Sequence, residues 1–78
     1  MREKKEYTII TFDTTTEAIA MENECRSRGI PGRLIPLPKE ISAGCGLSWR
    51  MDSASYEEYS SAIRELGLKS GQTVTLML

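Results

Sequence analysis

The sequence predicts an α+β fold of the ferredoxin-like kind, in which two helices pack on one face of a four-stranded antiparallel sheet. Two segments with helical spacing alternate with four short segments rich in β-branched and aromatic residues, in the order β-α-β-β-α-β. Two βαβ-like halves in this order form such a sandwich. With 78 residues, 40% of them hydrophobic, we expect residues 1–78 to fold as a single ferredoxin-like domain with a modest core.

The first half of the chain carries clear signals for a strand and a helix. Residues Glu6 to Phe12 are rich in Ile, Thr and aromatic side chains, as strands are. Thr14 and Glu17 have the spacing of a capping box, which predicts a helix from about Thr15 to Arg28. Gly29 is expected to end this helix.

The second half repeats the same logic. Strands are predicted from Gly32 to Leu37 and from Leu47 to Met51, with a loop between them. A second helix is expected to begin near Asp52 and to stop at Gly67. Alternating apolar residues from Thr73 to Leu78 predict the last strand.

Several strands carry apolar side chains on both alternations, such as Ile9 and Ile10 in the first strand. Because the two helices can cover only one face of the sheet, the open face is expected to be partly apolar. Apolar surface of this kind often marks an interface, so the sequence predicts a homodimer formed through the open face. The alternative is a set of scattered aliphatic side chains on a tolerant surface.

The predicted loop between the second and third strands holds the candidate functional residue, Cys45, between Gly44 and Gly46. Glycines on both sides remove Cβ bulk, permit positive φ, and leave backbone N–H groups free to point at the sulfur. A cysteine kept only for packing does not need this setting. The alternative is that Cys45 is an incidental small apolar residue in a tight loop.

Three cations are predicted to lie near Cys45 and to stabilise negative charge at its sulfur, namely Arg33, Lys39 and Arg50. Positive charge near a thiol favours its nucleophilic form. Cys25, in contrast, lies on the apolar side of the first predicted helix, where a free cysteine behaves as a small hydrophobic residue. We therefore interpret Cys25 as a packing residue and Cys45 as a reactive one.

Composition excludes several classes of protein. The chain has no histidine, which excludes Ser-His and Cys-His catalysis and leaves too few ligands for a thiolate-rich zinc site. A net charge of −1 gives no basic field for nucleic acid, and no apolar run is long enough to span a membrane. We expect a cytoplasmic protein without cofactor, and a cysteine pair that stays reduced.

One stretch carries a family resemblance. The residues Leu34-Ile35-Pro36-x-Pro38 and Ile41-Ser42-x-x-Cys45-Gly46-Leu47, preceded by Gly29-Ile30-Pro31 at a helix end, resemble the small bacterial family of selenium/sulfur carrier protein-like domains, formerly a domain of unknown function. The resemblance covers nearly the whole chain and rests on the Pro-x-Pro and Cys-Gly elements together with chain length and element order. It implies the ferredoxin-like fold and a special cysteine.

Two functions remain open at this point. In the first, implied by the resemblance, Cys45 accepts sulfur or selenium from a donor protein as a persulfide or selenosulfide and passes it to an acceptor protein. In the second, the chain is a regulatory or assembly module that dimerises and binds a small ligand or a protein partner. Neither is an enzyme, and the reactivity of the Cys45 thiol discriminates between them.

Overall fold

The computed structural model describes residues 4–42 and 44–78 and confirms the predicted ferredoxin-like arrangement. The elements are β1 (Glu6–Thr11), α1 (Thr15–Arg28), β2 (Arg33–Pro36), β3 (Leu47–Asp52), α2 (Ser53–Glu65) and β4 (Thr73–Met77). The strands form one sheet in the order β2-β3-β1-β4, and all neighbouring strands are antiparallel. Strand ends differ from the predicted ones by one residue, and Ala43 of the loop lies outside the described residues.

Both ends of α1 lie where the sequence predicts them. The Thr14 hydroxyl accepts a hydrogen bond from the Glu17 backbone N–H at 3.2 Å. The Glu17 carboxylate reaches one residue further back than a standard capping box, accepting from the Asp13 N–H at 3.1 Å. Gly29 ends the helix in the left-handed region, with φ +70°. The caps thus fix the path of the chain into and out of α1.

The start of α2 is held by contacts to other strands rather than by a side-chain cap. Asp52 occupies the N-cap position without a capping hydrogen bond. Its carboxylate instead pairs with the Lys5 ammonium at 3.2 Å, and the Ser53 hydroxyl lies 3.1 Å from that of Thr8. These contacts tie the start of α2 to β1 and the residue before it. Gly67, with φ +65°, follows the end of α2.

The main core lies between the sheet and the two helices. The central strands β1 and β3 supply alternate residues to it, and their register places Ile10 opposite Trp49 and Thr8 opposite Met51. Because side chains alternate between the two faces of a strand, these residues mark the helix-covered face. The buried cluster consists of Ile10, Phe12, Ala18, Met21, Cys25, Ile30, Trp49 and Met51.

The opposite, open face of the sheet is partly apolar, as predicted. The register places Tyr7 opposite Leu76 and Ile9 opposite Val74 on this face. Ile9 is fully buried, whereas Leu76 and Val74 are half-buried. The homodimer through this face stays a prediction.

Candidate functional site

The loop 37–46, which we call the Cys45 loop, joins β2 to β3. The Leu37 N–H donates to the Gly46 carbonyl at 2.9 Å and closes the base of the loop beyond the last strand pair. Within it, the Ile41 N–H donates to the Pro38 carbonyl at 2.9 Å and forms a turn. Ile41 is buried although it belongs to no strand or helix. The loop is therefore partly packed onto the body of the domain.

Cys45 is anchored to the connection between β1 and α1. Its backbone N–H donates to the Phe12 carbonyl at 3.1 Å, and Phe12 comes two residues before the N-cap residue Thr14. Gly44 has φ +60°, and a Cβ built on it would overlap the Phe12 carbonyl oxygen. Gly46 has φ +86° but open space around it. Both glycines supply the backbone conformation of the loop, and Gly44 also permits the close approach that positions Cys45.

Cys45 is neither sealed in the core nor fully exposed. The residue is half-buried, packed on one side against the helix-side core. Its Sγ lies 4.0 Å from the Leu47 carbonyl oxygen, a long and weak contact. Cys45 is thus less buried than Cys25, and its backbone is held in place by the Phe12 carbonyl.

Cys25 has the opposite setting, which confirms its interpretation as a packing residue. It is 0% exposed, and its Sγ lies 3.5 Å from the Met21 Sδ. Burial raises the pKa of the Cys25 thiol to about 11, and the nearby Glu24 carboxylate acts in the same direction. Both cysteines are free, and Cys25 lies about 15 Å along α1 from Thr15, at the end of the helix away from the Cys45 loop.

Two of the three predicted cations lie on the open face of the sheet, and the third lies in the Cys45 loop. Arg33 and Arg50 are directly opposed partners on β2 and β3, and both belong to the open face of the sheet. The Arg50 guanidinium lies 4.6 Å from the centre of the Tyr7 ring. Cys45 packs against the core on the other side of the sheet. Lys39 is the cation that belongs to the Cys45 loop, and it is exposed. The binding role of these cations stays a prediction.

The sequence analysis did not predict two features of the structure, the unpartnered indole of Trp49 and the pairing of Arg33 with Arg50. Trp49 is 2% exposed, and its indole N–H is the one buried side-chain polar group without a hydrogen-bond partner in residues 4–42 and 44–78. It lies against Gly32, where an added Cβ would come within 2.7 Å of the ring nitrogen. No local pattern signals such a donor. The pairing of Arg33 with Arg50, in contrast, follows from counting back from the hairpin pair Pro36 and Leu47.

Across the described ranges, no group of three or more cysteine, aspartate and glutamate residues is placed to hold a metal ion. Neither α1 nor α2 combines the length and the apolar character that crossing a membrane requires.

Comparison with known proteins gives one match. The family model described as "Putative Se/S carrier protein-like" matches residues 6–74. No curated protein and no solved structure matches the chain. The matched segment runs from the first residue of β1 into β4 and includes both helices and the Cys45 loop. The chain therefore belongs to the Se/S carrier protein-like family.

Proposed function

We propose that this protein carries sulfur or selenium between partner proteins, with the Cys45 thiol as the carrying group. The observation that supports this most directly is the contrast between the two cysteines. Cys25 is sealed in the core, whereas Cys45 is half-buried in a glycine-flanked loop. Membership of the Se/S carrier protein-like family suggests that the more accessible cysteine carries the sulfur or selenium atom.

The loading step follows ordinary thiol exchange. The Cys45 thiolate attacks the outer sulfur of a donor persulfide, the new S–S bond forms at Cys45, and the donor's own S–S bond breaks to release a thiolate. An acceptor nucleophile then attacks the outer atom, and the Cys45 thiolate leaves. No external oxidant or reductant is consumed, since the transferred atom keeps its oxidation state. With selenium as cargo, the outer atom is selenium and the steps are the same.

The position of Cys45 suits an anionic cargo. The amino-terminal end of a helix carries partial positive charge, and the backbone of Cys45 is anchored two residues before the N-cap of α1. Lys39 adds a cation on the same loop. Glu17, the acidic residue of the first turn, is engaged by the Asp13 N–H at 3.1 Å. The end of α1 and Lys39 favour negative charge on the outer sulfur or selenium, whereas the carboxylates of Asp13 and Glu40 in the same two segments oppose it.

The proposed role is that of a carrier and not of an enzyme. The chain offers no imidazole to move protons during turnover. Donor and acceptor proteins must therefore supply the catalytic groups, and the half-buried thiol must dock to both. A thiol that works in this way has to stay reduced between transfers, as thiols do in the cytoplasm.

Intact-protein mass spectrometry tests the proposal. Incubation with a low-molecular-weight persulfide donor should add the mass of one sulfur atom, and a reductant should remove it. Cys45→Ser should abolish the adduct. Cys25→Ser is the matched control and should retain it, because the buried thiol takes no part.

An adduct that survives Cys45→Ser, or that forms equally on both cysteines, contradicts the carrier function. The domain would then be better described as a regulatory or assembly module with Cys45 as a structural residue of the loop. Loading without any transfer to a second thiol would also contradict it, because a carrier must release its cargo.

A further inference from the structure

Two like charges face each other on the open side of the sheet. Arg33, the first residue of β2, is directly opposite Arg50 of β3. Directly opposed residues on antiparallel strands have Cα atoms only about 4.5–5.5 Å apart, and like charges at such positions destabilise the pair. The fold therefore tolerates a local repulsion that a neutral residue at either position would remove.

No acidic side chain in the described ranges forms an ion pair with Arg33 or Arg50. The ion pairs of these residues join Lys5 to Asp52, Arg26 to Glu22 and Arg28 to Glu24. Asp52 is the acidic residue of β3 on the same face, and its carboxylate is already engaged by the Lys5 ammonium at 3.2 Å. Within residues 4–42 and 44–78, neither arginine has an ion-pair partner, and the nearby Asp52 is shared with Lys5.

Arg50 is also held in a defined place. Its guanidinium lies 4.6 Å from the centre of the Tyr7 ring, a cation–π distance that orders the side chain at little cost to its hydrogen-bonding capacity. A cleft of about 290 Å³ opens at this point, and its lining includes Tyr7, Arg33, Arg50, Met51, Asp52 and Ser55. Both arginines therefore border a space large enough for a small ligand, and the one acidic residue of that lining, Asp52, is paired with the Lys5 ammonium.

We propose that Arg33 and Arg50 together bind an oxyanion, the phosphate or carboxylate group of a small molecule, in this cleft. A guanidinium presents two parallel N–H donors that match the oxygens of such a group. An anion between two guanidiniums replaces their mutual repulsion with two attractions. The Tyr7 ring keeps Arg50 ready for the ligand, and Ser55 adds a hydroxyl at the cleft.

This site is separate from the Cys45 loop and goes beyond the proposed carrier function. Arg33 begins β2, and the Cys45 loop follows the other end of that strand, about 10 Å away at the rise of a β-strand. The two sites also lie on opposite faces of the sheet. Ligand binding at the arginine pair and loading of Cys45 can therefore be measured independently.

Thermal unfolding at matched ionic strength tests the proposal, with inorganic phosphate and citrate as the two probes and sodium chloride as the reference. The reference is essential because salt alone screens the repulsion between two cations. Phosphate, citrate or both should raise the Tm of the wild-type protein above the value in chloride, and by more than they raise the Tm of Arg33→Gln. A ligand that binds only the folded state stabilises it, whereas the general exclusion of these anions from protein surfaces stabilises both proteins alike. Comparison of the Tm values in phosphate and in citrate shows which oxyanion the cleft prefers.

Single substitutions locate the effect. Arg33→Gln and Arg50→Gln should each weaken binding by about tenfold or more, the usual consequence of losing a charge-assisted hydrogen-bonding group. Arg28→Gln removes the same charge from the exposed end of α1 and should leave binding unchanged. Without the probe and at low salt, Arg33→Gln should be at least as stable as the wild type, since it relieves the repulsion.

Backbone amide shifts in a two-dimensional NMR titration give a second readout, and the largest shifts should fall on residues 7, 33 and 50. Three results would overturn the proposal. These are equal Tm values in probe and in chloride, an equal loss of binding in Arg28→Gln, and amide shifts centred away from the arginine pair.

Discussion

Cys25 and Cys45 are the same chemical group in two settings, and the difference between them lies in the backbone that carries them. Cys25 is part of a regular helix whose apolar side faces the core, so its sulfur is sealed and the pKa of its thiol is raised to about 11. Cys45 sits in a loop held by the Phe12 carbonyl, with glycines on either side. Regular structure buries a thiol, whereas an anchored irregular segment can present one.

The largest expected effect is on the rate of alkylation. At pH 8 a thiol with a pKa of about 11 is ionised in only about one molecule in a thousand, and Cys25 is also shielded from the reagent. Cys45 should therefore react with iodoacetamide about a hundredfold faster than Cys25 in the native protein. Peptide mass spectrometry after timed quenching measures both rates in one sample.

Denaturant provides the control for this comparison, because both cysteines should react at similar rates in the unfolded chain. Equal rates in the native protein, or a Cys45 protected as well as Cys25, would remove the basis of the carrier function.

The second prediction concerns the two glycines beside Cys45. Gly44→Ala places a methyl group on the Phe12 carbonyl at a positive φ, and should lower the free energy of unfolding by about 3 kcal/mol and disturb the loop. Gly46→Ala is the matched control, because it meets the same kind of backbone strain in open space and should cost about 1 kcal/mol. Urea unfolding of both variants measures the difference. Equal losses would show that the contact with Phe12 does not hold the loop.

The third prediction is a dependence of stability on pH that comes from Cys25. Burial raises the pKa of this thiol from 9.0 to about 11, so the folded state favours the neutral form. Its contribution to stability is complete below pH 9 and is lost as the pH rises toward 11. The loss should approach about 2–3 kcal/mol. Urea unfolding at pH 8 and pH 10.5, compared with Cys25→Ala, isolates the effect from other groups that titrate in this range. A variant with the same pH dependence as the wild type would contradict it.

The smallest effect is expected at the start of α1, next to the anchor of Cys45. Thr14→Ala removes the hydroxyl that accepts from the Glu17 N–H and should cost about 1 kcal/mol. Thr16→Ala, at an exposed position inside the same helix, should be neutral or slightly stabilising because alanine is the better helix former. Thermal unfolding compares the two. If Thr14→Ala also slows alkylation of Cys45, the two segments are coupled as the structure indicates.

The sequence was informative wherever a local signal decides the structure. Each signal of α1 acts over only a few residues of the chain. These signals are the capping residue Thr14, the terminating Gly29 and the helical spacing of Cys25 with Met21. The limits of α1 and the burial of Cys25 could therefore be predicted. Local chemistry was sufficient for all of these.

Contacts between distant segments were beyond such reasoning. The anchor between Cys45 and Phe12 joins residues far apart in the chain, and nothing near either residue announces it. The predicted grouping of Arg33 and Arg50 with Cys45 relied on closeness in sequence. The alternation of side chains across the sheet instead assigns the arginines to the open face. The unpartnered indole of Trp49 depends on packing against Gly32 and has no local signature.

The central position of β1 has a consequence for the protein as it is being made. This strand leaves the ribosome before the others, yet its partners are β3 and β4, and its first residue pairs with Met77. The core that seals Cys25 includes Trp49 and Met51 of β3, so a nascent chain shows both thiols to its surroundings until those residues emerge. The difference between the two thiols is thus acquired only on folding, and a slowly folding variant would leave the Cys25 thiol open to modification for longer.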